Sequence, residues 1–348
     1  MGILSSPETG YLGIDMGSSG VKIVELTKVG DQAKLLSYGF SENLTPDAEV
    51  KWRNDNDKIA ELIVKTIAQA GMKATSVVAS LPAYSVFSSI INLIDIDKEK
   101  IDQAVEWETK KVLPVPIEDV VLEWRLIESR LENNRELLKI FVIAAPRVLV
   151  TKYQDIFKKA KLKLINLESE TFSLIRALMG RDKTTIMIAE FGATTTNVSI
   201  IERGIPFLNR SIEIGGDNLS KILAQKMSIS LEEAEQLKFD LGISAIDSAD
   251  SQISETIQES LSPLVNEIKY LIGLYQGRGD KKVEKLILTG GSALISNLAN
   301  YLSRILNMNV IVGDSWSHIS YPLELKPLLT EISPRLSVAA GLALDRFE

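Results

Sequence analysis

The sequence predicts an α/β fold of two similar lobes facing each other across a cleft. Apolar strands alternate with amphipathic helices along the chain, the pattern of layered α/β architectures. One glycine-turn device occurs twice. Its copies lie 175 residues apart (15 to 190) in a chain of 348, about half the length, which predicts two related halves.

In the first copy, residues 11–15 and 21–27 read as strands joined across Gly17-Ser18-Ser19-Gly20. Residues 56–70 carry Ile59, Ile63, Ile67 and Ala70 at helical spacing. From Ala74 to Ile94 no charge occurs, but Pro82 and the serines at 76, 80, 85, 88 and 89 argue for two buried strands joined by a turn, not a membrane span. Residues 98–113 form a helix that stops before Pro114, and residues 118–128 and 137–145 are paired strands around Glu132-Asn133-Asn134-Arg135. A helix over 151–162, a strand over 164–167 and a helix over 169–179 follow. In the second copy, residues 185–191 and 197–202 are strands around Gly192-Ala193-Thr194-Thr195. Helices over 218–227, 231–241 and 254–275, a strand over 285–289, a helix over 295–306 and a strand over 310–312 complete the pattern.

Composition excludes several kinds of chemistry. With 39 Lys and Arg against 46 Asp and Glu, the formal charge is −7 with no basic block, which argues against nucleic acid as a partner. Cysteine is absent and His318 is the lone histidine, in a polar stretch that reads as surface loop. Disulfides, thiol nucleophiles and Cys-ligated zinc are thereby set aside, and Ser-His-Asp catalysis nearly so, since His318 would have to be the base. No secretory signal leads the sequence, and a cytoplasmic location is expected. Met1-Gly2-Ile3-Leu4-Ser5-Ser6 fits the loose myristoylation pattern, which alone carries no anchor. The lysines at 158, 159, 161 and 163 read as a solvated helix face followed by a strand edge.

The turns carry the chemistry. In Asp15-Met16-Gly17-Ser18-Ser19-Gly20-Val21-Lys22, Gly17 permits a tight turn and close approach to an anion. Backbone amides with the Ser18 and Ser19 hydroxyls suit phosphate oxygens, Lys22 adds a charge, and Asp15 suits a hydrated Mg²⁺. Glu190-Phe191-Gly192-Ala193-Thr194-Thr195 repeats the device, so two hairpins would grip a phosphate chain with one carboxylate each for the metal. Leu288-Thr289-Gly290-Gly291-Ser292 places paired glycines between a strand and a helix, where a purine or ribose could lie on the backbone near the helix N-terminus.

In this order the motifs resemble the actin-like ATPase superfamily, which includes actin, sugar kinases, DnaK-type chaperones and FtsA. The resemblance implies two RNase H-like lobes with ATP and Mg²⁺ between them, the metal held by Asp15 and Glu190 through water. Residues 170–178 and 338–343 sit where the interdomain helices belong. Within the superfamily the chain resembles the PilM family of type IV pilus assembly. The carrying segments are residues 11–22, 80–87 and 213–219, and above all Trp107-Glu108 with Pro114-Val115-Pro116. By that resemblance Gly17, Ser18, Ser19 and Lys22 form the first phosphate motif and Gly192, Ala193, Thr194 and Thr195 the second. Gly290, Gly291 and Ser292 form the adenosine motif, and Gly215, Gly216, Glu235 and Lys238 approach the nucleotide from the second lobe. Glu170 matches the acid that positions the attacking water; read as a residue alone, it is equally a helix N-terminal acid. Glu190 departs from the usual Asp, which leaves ATP binding expected and hydrolysis slow or absent.

The resemblance further implies a first lobe core over 1–82, an FtsA-like inserted subdomain over 83–162, and a return with an interdomain helix over 163–182. A second lobe core over 183–216 and 283–319, a helical subdomain over 217–282 and a C-terminal return over 320–348 follow. A groove beside the insertion would hold the N-terminal cytoplasmic tail of PilN, an inner-membrane protein. Membrane contact would then be indirect, at the inner face of the membrane, with other pilus components as partners and self-association open. The sequence as given ends at Glu348, where no FtsA-like amphipathic helix is expected. The alternatives are an FtsA-like or filament-forming ATPase and, less favoured, a small-molecule kinase, for which the insertion shows no catalytic Asp motif.

Overall fold

Two mixed sheets with one strand order carry the fold. The structure, a computed structural model, describes residues 10–42, 55–132, 135–180, 182–243, 251–277, 279 and 282–347. The Asn133-Asn134 tip and the Met1-to-Ser6 pattern lie outside the described residues. Strands β1 (Tyr11–Gly17), β2 (Gly20–Val29) and β3 (Gln32–Glu42) form an antiparallel meander. Helix α1 (Asn56–Gln69), capped by Asp55 accepting from the Asp57 and Lys58 amides, crosses over so that β4 (Ser76–Leu81) pairs parallel to β1.

The chain then leaves the sheet. Strand β5 (Phe87–Ile94), helix α2 (Ile101–Val112), and strands β6 (Val120–Glu132) and β7 (Arg135–Pro146) build a separate three-stranded antiparallel sheet of order β5-β7-β6. Helix α3 (Arg147–Lys159) leads back to β8 (Lys163–Ser169), parallel to β4 at the sheet edge. Lys161 turns between them with φ 58°, so the lysine run does span a helix end and an edge strand. Helix α4 (Glu170–Leu178) follows directly, with the Ser169 hydroxyl accepting from the Thr171 amide.

The second sheet repeats the first. Strands β9 (Ile186–Phe191), β10 (Thr196–Glu202) and β11 (Ile205–Ile212) are again an antiparallel meander. Helices α5 (Gly216–Met227), α6 (Leu231–Asp240) and α7 (Ser251–Gln276) lead to β12 (Lys285–Thr289), parallel to β9. Helix α8 (Leu298–Leu306) carries the chain to β13 (Asn309–Val312), parallel to β12. The short β14 (Ile319–Ser320) then joins β3 of the first sheet before the long helix α9 (Lys326–Leu344). The sheet orders are β14-β3-β2-β1-β4-β8 and β11-β10-β9-β12-β13, so the five-strand pattern is duplicated.

Several expectations change. Strands β3, β11 and β14 add to the elements expected from the sequence, and α8 begins at Leu298 rather than at 295. The reason for the latter is local: Asn297 holds a left-handed φ of 61°, which no helix interior accommodates. A single 3-10 turn over Gly291–Leu294 fills the space instead.

Helices α4 and α9 lie between the sheets. Val78, Leu174, Ile188, Ile287, Val338 and Leu342 form a buried cluster drawing on β4, β9, β12 and both helices. The backbones approach so closely that a Cβ on Gly341 would stand 1.9 Å from the Ser173 carbonyl oxygen, and one on Gly13 2.0 Å from that of Ala339. Arg176 on α4 spans the same junction, donating to Glu168, to Asp345 and to the Gly341 carbonyl. Gly341→Val is expected to lower stability by about 1–3 kcal/mol or more through overpacking, read as a fall in Tm by circular dichroism. An unchanged Tm would contradict the crossing.

Candidate functional site

The two glycine hairpins place equivalent residues at equivalent rungs. Asp15 on β1 lies opposite Lys22 on β2, and Glu190 on β9 lies opposite Asn197 on β10. Position 197 is 175 residues beyond 22, the offset that separates 15 from 190. The first turn is the tighter one: Gly17 pairs with Gly20 around half-buried Ser18 and Ser19, and Gly20 has φ 145°. The second is a four-residue loop of half-buried Gly192, Ala193, Thr194 and Thr195, closed by the Gly192 amide donating to the Thr195 carbonyl at 3.0 Å.

The strand ends bring three acids together. Asp15 is 4% exposed; its carboxylate accepts from the Ser80 hydroxyl at 3.2 Å and stands 3.5 Å from the Lys22 ammonium. Glu190 accepts from the Asn197 amide at 3.1 Å. Glu170, the first residue of α4, accepts from the Ala83 backbone amide at 2.9 Å and from Asn197 at 3.3 Å. Burial pushes the Glu170 carboxyl well above the ordinary carboxylate range, and the charges of Glu190 and Asp15 push it further against the opposing Ala83 amide and Lys22. Glu190 is pushed up to about 7, by burial first and then by Asp15, with Asn197 and Lys22 opposing. Among the described residues, no three His, Cys, Asp or Glu side chains converge as ligands of one metal ion.

A second group forms where α5 and α6 meet the second hairpin. The Gly216 amide donates to the Gly192 carbonyl and the Asp217 amide to that of Ala193, both at 2.9 Å. No side chain fits at this contact: a Cβ on Gly215 would stand 2.2 Å from the Ala193 oxygen, and one on Gly216 2.3 Å from the Ser292 hydroxyl. Ser292 in turn donates to the Gly192 carbonyl at 3.2 Å. Lys238 is buried, its ammonium donating to the Gly216 carbonyl at 3.1 Å, the Ser220 hydroxyl at 2.9 Å and Glu235 at 2.7 Å. Burial draws its pKa down, partly offset by Glu235. Lys238 thus anchors the Gly216 loop from behind, and half-exposed Glu235 also accepts from Ser220.

The third glycine element divides its labour. Gly290, at φ 85°, packs against the Phe191 backbone and donates its amide to the Pro334 carbonyl of α9. Gly291 faces open space, with only the Arg335 side chain 3.9 Å from a built Cβ. The expected nearness to an α-helix N-terminus is replaced by the 3-10 turn described above.

The sequence-expected residues therefore fall into an acid group (Asp15, Gly17, Lys22, Glu170, Glu190) and a glycine-loop group (Gly192, Gly215, Gly216, Glu235, Lys238, Gly290, Ser292), joined through the second hairpin. Sequence reasoning passed over Asn197 and Ser80. Asn197 was legible as the seventh residue after Glu190, the place that Lys22 holds after Asp15.

Both raised carboxyls bind protons more tightly folded than unfolded, so each costs stability as pH rises from the ordinary carboxylate range, for Glu190 up to about 7. Glu190→Gln keeps an oxygen for Asn197 and removes that charge. Its Tm is expected to exceed that of the unsubstituted protein at pH 8, the gain shrinking toward pH 5. A gain independent of pH would contradict the assignment.

Comparison with known proteins follows the same lines. Solved structures of similar fold include the "PilM-PilN type IV pilus biogenesis complex", at TM-score 0.82 and 22% identity over 98% of this chain and 100% of that one. They also include the ethanolamine utilization protein EutJ from Carboxydothermus hydrogenoformans, at 0.59 and 18% over 100% and 92%. MreB 5 of Spiroplasma citri bound to AMPPNP matches at 0.56 and 12% over 97% and 96%. The fold is that of the actin-like ATPases. Among curated relatives, FtsA of Neisseria meningitidis is 21% identical over 71% of this chain, which spans 66% of that protein. FtsA of Enterococcus faecalis is 21% identical over 86% of this chain and 77% of its own length. Residues 13–347 match the family described as type IV pilus assembly protein PilM, and the chain belongs to that family.

Proposed function

We propose that this chain is an ATP-binding, actin-like scaffold of type IV pilus assembly, working at the inner face of the cytoplasmic membrane through a partner. The observation that carries the nucleotide reading is the paired register of the hairpins, each with a carboxylate at the equivalent rung, the two lying near enough for the charge of Asp15 to act on Glu190. Among the described residues no helix is long and apolar enough to cross a membrane.

The residues fit the ligand. Amides and hydroxyls at 17–19 and 193–195 suit phosphate oxygens, with Lys22 as the neighbouring cation. Gly17 leaves the space that its missing Cβ would fill, 3.0 Å from the Lys22 ammonium. Open Gly291 beside Ser292 offers a backbone floor for the nucleoside, and Gly215 and Gly216, the latter held by Lys238, form its side. Asp15 and Glu190 would hold Mg²⁺ through water, since Mg²⁺ keeps several of its waters. Bound Mg²⁺ would neutralise phosphate charge. Burial and the neighbouring acids shift Glu170 toward its protonated form in this state, and Glu190 stands where the family's usual Asp is expected; both support binding with slow turnover.

For the partner, one solved relative is a complex with PilN. We place the tail of a PilN-type protein beside the insertion, within the subdivision at 82, 162, 182, 216, 282 and 319. A groove of about 410 Å³ runs there between β5 and β11, lined by Phe87, Ile90, Phe141 and Phe207, with Asn209 donating to Ser88 across it at 3.1 Å. The size and mixed lining suit a short extended peptide.

Gly291→Leu should abolish ATP binding, measured with a fluorescent analogue, while the far-UV spectrum and Tm stay unchanged; undiminished affinity would mean that the cleft is misassigned. Titration of the full chain with a synthetic PilN-type N-terminal peptide should show saturable binding. Absence of binding both with and without ATP would defeat the scaffold role.

A further inference from the structure

The geometry points to Asn197 as the positioning residue that holds Glu170 and Glu190 at a fixed separation. This rests on the nucleotide reading above. Asn197 occupies the rung that Lys22 fills in the first hairpin. Lys22 answers its opposite carboxylate with a charge at 3.5 Å, whereas Asn197 answers with an amide. Its Nδ2 donates to Glu190 at 3.1 Å and to Glu170 at 3.3 Å. Its Oδ1 accepts from the Ser211 hydroxyl at 2.8 Å, which orients the amide with both N–H groups toward the acids.

The arrangement spans the molecule. Glu190, Asn197 and Ser211 sit on one rung of three adjacent strands, β9, β10 and β11. Glu170 begins α4, directly after β8 of the first sheet, and is also held by the Ala83 amide, where the chain departs into the inserted sheet. The Asn197–Glu170 bond is therefore a direct link between the second sheet and the element that follows the first.

Residue chemistry explains the amide. A carboxylate at 197 would add a fourth acid to three whose charges already oppose one another. A lysine would pair with the acids and occupy the space between them. A neutral group with two donors holds two carboxyls in place and leaves their remaining lone pairs for a hydrated cation. Asn197 acts through those acids, so its removal should be felt chiefly when a divalent cation accompanies the nucleotide.

The test titrates the full-length chain with a fluorescent ATP analogue in Mg²⁺ and, separately, in EDTA, for the unsubstituted protein, Asn197→Ala and Ser211→Ala. Asn197→Ala is expected to weaken binding in Mg²⁺ by roughly tenfold, the scale of one hydrogen bond to a charged group, with a clearly smaller loss in EDTA. Ser211→Ala should move in the same direction by less, and it carries the test if Asn197→Ala lowers the Tm enough to obscure binding. Equal losses in Mg²⁺ and EDTA, or no loss in either, would overturn the positioning role while leaving the nucleotide reading intact. Absence of ATP binding by the unsubstituted chain would overturn the nucleotide reading and this inference together.

Discussion

The rest of the structure depends on the backbone contact between α4 and α9. Gly341 lets α9 touch the Ser173 carbonyl on α4, and Gly13 lets β1 touch α9 at Ala339. Helices that meet without intervening side chains have little freedom to slide, because close-packed interiors tolerate few alternative fits. The two sheets are therefore referenced to one another through this pair. Arg176, the buried cluster around Leu174 and Leu342, and the hook from Gly290 to the Pro334 carbonyl reinforce the same junction.

That reference makes the cleft chemistry affordable. Three acids stand close together where the two hairpins meet α4, and burial raises the cost of charge on Glu170 and Glu190. In water such groups would separate. Here Asp15 is tied to β1, Glu190 to β9 and Glu170 to the start of α4, and the helix junction prevents all three from drifting apart. The glycine loops contribute close backbone packing: a Cβ on Gly215 or Gly216 would clash with Ala193 or Ser292, and the Gly192 and Gly216 amides close the loops by bonding to the Thr195 and Gly192 carbonyls.

Much of this was legible in the sequence, for identifiable reasons. Asp15-x-Gly17 and Glu190-x-Gly192 were visible because turn chemistry is local and its repeat at 175 residues is arithmetic. The doubled sheet order followed from the same repeat. Strands β3 and β11 escaped because each mixes Ser, Gly, Asn or Arg among its apolar residues and gains its pairing from a neighbouring hairpin strand rather than from its own pattern. The start of α8 escaped because the left-handed turn at Asn297 is one residue's backbone choice, to which hydrophobic spacing is blind. Lys238 read as ligand-facing because its helix position is plain, whereas its burial against Gly216 and Ser220 depends on how α5 and α6 pack. Asn197 was hidden by its residue type alone: a carboxylate or lysine at that rung draws notice, an amide does not.

The central claim is that both hairpins and the Gly290-Gly291 loop close on one nucleotide. Backbone amide hydrogen exchange with and without Mg²⁺-ATP tests it most directly. The account predicts simultaneous slowing at residues 17–20, 192–195 and 290–292, with little change in the inserted sheet. Protection confined to one hairpin, or to none of the three segments, would contradict it.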